Sequence, residues 1–89
     1  MNNAKRISFD PGFAISEAFG VSFAATLDGL TVVCSVSSEA LQDIDSSNAQ
    51  CGLEEQFMAH RVDFESIAIR KILAGEAQPI RITSADVRA

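Results

Sequence analysis

The sequence predicts an α+β two-layer sandwich, one antiparallel sheet with helices on one face, in the order β-β-β-α-α-β. Three observations point there. Residues 19–36 alternate with period two around a central Asp-Gly pair. Residues 53–74 carry apolar side chains at helical spacing, and residues 78–83 place two isoleucines at alternate positions. The 89 residues, 47% of them hydrophobic with six Phe, suffice for one core and leave no room for two, so residues 1–89 form a single domain.

Taken in order, Lys5-Arg-Ile-Ser-Phe9 forms a short first strand that Asp10-Pro11-Gly12 stops. The segment from Phe19 to Leu27 is the second strand and Leu30 to Val36 the third, rich in β-branched residues. Asp28-Gly29 between them is the pair preferred for a two-residue type I′ turn. That turn dictates its own register. Leu27 faces Leu30, Ala25 faces Val32, Phe23 faces Cys34 and Val21 faces Val36, eight apolar residues on one side. Ser22 opposite Ser35 and Thr26 opposite Thr31 fall on the other side, with Ala24 opposite Val33. A one-residue slip would mix the two sets.

Residues 37–44 read as a short serine-capped helix with Ala40, Leu41 and Ile44 on one side. The polar stretch from Asp45 to Gly52 is a connector, and Ser47 with Gln50 has the spacing of a capping box. One long helix then runs from Leu53 to Ala74 and ends at Gly75. Its stripe of Leu53, Phe57, Phe64, Ile67 and Ala68 belongs on the sheet. A second stripe of Met58, Val62, Ile69 and Leu73 lies on nearly the opposite side, where a surface helix is normally polar. The short helix or a second copy of the protein is expected to cover it. Residues 78–83 form the last strand, and Ser84 with Asp86 suggests a turn capped by a side chain.

Three segments together resemble the DUF1488 family, small bacterial proteins of unknown function. They are Asp28-Gly-Leu-Thr-Val-Val-Cys-Ser-Val-Ser-Ser-Glu-Ala-Leu41, His60-Arg-Val-Asp-Phe-Glu-Ser-Ile-Ala-Ile-Arg-Lys71 and Pro79-Ile-Arg-Ile-Thr-Ser-Ala-Asp86, spanning most of the chain. The resemblance implies one α+β domain with strands first, helices in the middle and a closing strand. It implies no activity.

Charge and composition exclude several roles. The net charge of −5 argues against binding nucleic acid, and the strands lack exposed aromatics on which bases could stack. No apolar run approaches the ~20 residues needed to span a bilayer, so no membrane association is expected. Two cysteines and one histidine cannot build a structural zinc site, and no cofactor motif is present. No apolar stretch follows the first basic residues, so the expectation is a leaderless cytoplasmic protein with both thiols reduced.

Each chemistry-bearing residue has a plain reading beside the functional one. His60, at the edge of the sheet-facing stripe, is a packing histidine or else a general base. Lys71, on the same helical face as Phe64, either extends its stem past the sheet edge or meets a buried carboxylate. Arg61 and Glu65 have the spacing of an exposed ion pair. Cys51, before the long helix, is a candidate redox sensor, and Cys34 a buried thiol. Asp43, Asp45, Glu54 and Glu55 form a solvated acidic surface and no EF-hand pattern.

Two functional readings result. The favoured one is a small soluble non-enzymatic interaction module, self-associating as a homo-oligomer or meeting another protein through Met58, Val62, Ile69 and Leu73. The alternative is a small-ligand-binding protein or minor enzyme using His60, Arg61 and Lys71. Residues 1–45 hold six acids and two bases, residues 46–89 six acids and five bases, so any bound anion belongs near the long helix and last strand.

Overall fold

The computed structural model describes residues 6–16, 20–44 and 52–88. In chain order the elements are β1 (Ile7–Ser16), β2 (Gly20–Leu27), β3 (Leu30–Val36), α1 (Ser38–Asp43), α2 (Leu53–Ala59), α3 (Arg61–Leu73), β4 (Ile80–Ile82) and α4 (Ser84–Arg88). The strands form one sheet ordered β1-β2-β3-β4, and the helices cover its apolar face. Residues 45–51 of the connector, its capping box among them, lie outside the described residues.

The β2–β3 hairpin has the register its turn dictates, from Leu27 against Leu30 to Val21 against Val36. Asp28 and Gly29 both take positive φ, as a type I′ turn requires. Asp28 also accepts from the Arg6 backbone N–H at 3.1 Å and donates its own N–H to the Arg6 carbonyl, which ties the turn to the start of β1. Val21, Phe23, Ala25, Val32, Cys34 and Val36 are buried, whereas Leu30, on the same side, is 72% exposed because it sits at the far tip of the hairpin.

Three expectations require correction. The first strand does not stop at Asp10-Pro11-Gly12 but continues to Ser16. Phe9 pairs with Ala25 and Phe13 with Phe23, four steps along β1 against two along β2. The extra residues bulge, and because their number is even, both phenylalanines keep the core face. Pro11 is tolerated there because β1 is an edge strand.

Second, the sheet is mixed. β4 pairs parallel to β3, with Cys34 beside Ile80 and Val36 beside Ile82. The intervening helices supply the long crossover that a parallel neighbour needs. β4 flanks only the last three residues of β3; further along that edge the Gln78 side chain accepts the Val33 N–H at 3.0 Å.

Third, the long helix is two helices. His60 (φ −128°, ψ 27°) separates α2 from α3, although no glycine or proline lies between Leu53 and Leu73. Ile72, on neither expected stripe, is buried; it lines a groove at the hairpin end with Leu27, Val32 and Ile80.

Local capping chemistry accounts for the helix ends. Ser37 Oγ accepts the Ala40 N–H at 3.1 Å to start α1. At the end of α3, Gly75 (φ 81°) donates its N–H to the Ile72 carbonyl and Glu76 to that of Lys71, the paired bonds of a Schellman motif. The expected capped turn at Ser84 and Asp86 is a short helix, α4, with Thr83 as its N-cap. Asp86 Oδ2 accepts from the Thr83 N–H at 2.8 Å and from its hydroxyl at 3.2 Å. The centre of the core is aromatic: the Phe57 ring lies 5.1 Å from Phe13, 5.3 Å from Phe23 and 5.9 Å from Phe64.

Candidate functional site

The residues singled out in the sequence fall at three places along α2 and α3. At the junction, His60 is half-buried with Nδ1 3.0 Å from Asp63 Oδ2. Beside it Arg61 donates from Nε to Glu65 Oε2 at 2.9 Å, from Nη1 to the Pro11 carbonyl at 2.8 Å and from Nη2 to the Asp10 carbonyl. Its guanidinium also lies 5.3 Å from the centre of the Phe57 ring and 5.9 Å from that of Phe13. The Arg61–Glu65 pair is therefore part-buried, not exposed as its spacing suggests, and it fastens the helix layer to the β1 bulge.

Lys71 sits ten residues further on, about 15 Å along the helix axis. Its Nζ lies 3.0 Å from Asp86 Oδ1 and 3.3 Å from Glu76 Oε1. Burial alone would lower the Lys71 pKa, but the hydrogen bonds and charges of Asp86 and Glu76 outweigh it and hold the ammonium above its ordinary value. Burial alone would raise Asp86; the Thr83 N–H and the Lys71 ammonium together hold it below the ordinary carboxylate value. The structure thus brings His60 and Arg61 together and places Lys71 at the other end of α3. None of the three lines any of four surface grooves, those at Phe13, Ser66, Ile72 and Arg81.

The Cys34 thiol is wholly buried, 3.9 Å from the Val32 carbonyl, and desolvation pushes its pKa up to about 11. Cys51 and Asp45 lie outside the described residues. Asp43 pairs with Arg88 at 3.1 Å, and Glu54 and Glu55 are exposed in the first turn of α2. No group of three His, Cys, Asp or Glu side chains among the described residues could hold a metal ion, and no helix there is long and apolar enough to cross a membrane.

The third place is the outer side of the helices. Val62 is 74% exposed, Leu73 55% and Met58 52%, with Ile69 half-buried between them. α1 does not cover this stripe; it packs on α4, α2 and β2. One flank carries Asp63 and Arg70, and Ser66 sits within the stripe. Asp63, Ser66 and Arg70 also border a groove of about 400 Å³ whose far wall includes Ile44 of the α1 end and Val87 of α4. The sequence reading overlooked these three residues. The signal was present: Val62, Ser66, Ile69 and Leu73 are spaced four, three and four, a heptad seam interrupted by one serine.

A family model described as "Protein of unknown function (DUF1488)" matches residues 14–82. Comparisons with curated proteins and with solved structures found no match.

Proposed function

Since the chain belongs to the DUF1488 family, whose description assigns no activity, we propose from the geometry a non-enzymatic interaction module that self-associates through the outer side of α2 and α3. The observation that carries this reading is the exposure of Val62 and Leu73 on α3 and of Met58 on α2, each large, apolar and more than half exposed. Monomeric domains seldom leave apolar side chains in a row. The occupant is a second copy of the chain because the patch complements itself in charge, with an acid and a base, Asp63 and Arg70, on the same flank. A small domain also gains most from burial supplied by a partner.

The reading carries the bacterial, cytoplasmic setting that the resemblance implies, and a free, buried Cys34 suits a reducing compartment. It excludes nucleic acid, on the charge of −5 and an outer sheet face of Ser22, Ala24, Thr26, Thr31, Val33 and Ser35 with no ring on which to stack a base. The alternative ligand site of His60, Arg61 and Lys71 has no observation in its favour, since Arg61 and Lys71 hold intramolecular partners at opposite ends of α3.

Sedimentation tests the proposal. The wild type should dimerise at tens to hundreds of micromolar, with Val62→Glu and Met58→Glu monomeric and folded. A strict monomer at high micromolar concentration, with both substitutions neutral to stability, overturns it.

A further inference from the structure

Resting on that reading, we infer that the two copies meet through antiparallel α3 helices across a two-fold axis between Ser66 and Ile69, with Asp63 of each copy against Arg70 of the other. At 100° per residue, Val62, Ser66, Ile69 and Leu73 fall within an arc of about 60° and a length of about 16 Å. That makes one straight seam. Antiparallel pairing about its midpoint sets Val62 against Leu73 of the second copy and Ser66 against Ile69. Ser66 is the smallest side chain in the seam and lies at the crossing, where it admits the larger Ile69 and lets the axes approach to about 8–10 Å.

A two-fold axis perpendicular to both helices keeps the same flank of each on the same side. Asp63 and Arg70 share one flank, seven residues apart, so each acid meets the base of the other copy, twice over. Parallel pairing would bring together opposite flanks and set Arg70 against Glu65, whose carboxylate Arg61 already engages. The base is available: Arg70 is exposed and forms no ion pair with any described residue. Asp63 keeps a 59% exposed side chain while contacting His60. The groove bounded by Ile44 and Val87 opens on this same flank. A helix pair of this length buries less than the ~800 Å² per partner of a typical stable complex, so the dissociation constant should be on the order of tens of micromolar.

Charge exchange separates this geometry from self-association in general. Asp63→Arg and Arg70→Asp, each alone, should weaken the homodimer roughly tenfold or more, as two attractions become two repulsions. An equimolar mixture of the two variants should form a heterodimer as tight as the wild type, and the double variant should again form a homodimer. Arg70→Asp breaks no ion pair with a described residue, so it remains decisive if Asp63→Arg lowers the melting temperature. Unchanged dissociation constants for both single variants, or a mixture that fails to associate while Val62→Glu still dissociates the wild type, overturn the antiparallel pairing and leave self-association standing. A Val62→Glu chain that associates like the wild type overturns both.

Discussion

The two ends of α3 each turn a cation toward the body of the protein, and each cation is satisfied by different chemistry. Arg61 meets one carboxylate, two main-chain carbonyls fifty and fifty-one residues upstream, and two aromatic rings. Lys71 meets two carboxylates, one of which also caps α4. Carbonyls and rings do not titrate, whereas carboxylates do. The N-terminal anchor therefore rests in large part on groups that do not titrate, and the C-terminal anchor wholly on groups that do. Geometry differs too. A guanidinium is a planar fork that reaches several acceptors and lies on a ring, while an ammonium is a point charge on a flexible stem.

The largest effect should come from Arg61. Replacing it with Ala leaves Glu65 and two bulge carbonyls without their donors and removes the cation from the faces of Phe13 and Phe57. Unfolding in urea should show a loss of about 2–4 kcal/mol, a large share of what a domain this size holds. Arg61→Lys should recover less than half, because Lys cannot serve three acceptors in one plane. Full recovery by Lys would erase the contrast between the two ends, since a point charge would then suffice at both.

Asp86 comes next. It caps α4 and balances Lys71, so Asp86→Ala should cost about 1–2 kcal/mol, and Asp86→Asn less because the amide oxygen can still accept from Thr83. The sign of the pH dependence follows from the lowered folded-state value. Asp86 contributes stability that is complete above its unfolded value, near the ordinary 3.8, and is lost as pH falls through the lower folded value. Lys71, raised in the folded state, contributes stability complete below its ordinary 10.5 and lost as pH rises through the higher folded value. Melting temperatures of wild type and Asp86→Asn should thus converge in strong acid.

The same division explains what the sequence made legible. The hairpin register, the Ser37 cap and the glycine stop after α3 are each decided within a few residues, by a turn pair, a hydroxyl or a residue able to take positive φ. They were all readable. The continuation of β1 through Asp10-Pro11-Gly12 and the break at His60 were not, and both lie at the Arg61 anchor, whose partners are fifty residues apart in sequence. The parallel pairing of β4 was hidden for a related reason: two isoleucines at alternate positions mark a strand but not its direction. At the outer stripe, the apolar members stood out, but Asp63, Ser66 and Arg70 gain meaning only once the buried face of α3 is known.

The smallest effect is the most discriminating. Lys71→Met keeps most of the stem and loses only the ammonium, so its cost should be about 0.5 kcal/mol. A double-mutant cycle of Lys71→Met with Asp86→Asn then isolates the ion pair from the cap. Both side chains are largely shielded, at 16% and 22% exposure, so the coupling should be about 0.5–1 kcal/mol and shrink in 1 M salt. The Arg88–Asp43 pair, whose arginine is 72% exposed, supplies the reference and should show coupling near zero. Strict additivity at Lys71 and Asp86 would mean that Asp86 acts only on the backbone of α4. Lys71 would then be held by Glu76 alone, and the acid sensitivity assigned to the C-terminal anchor would have to arise in the cap.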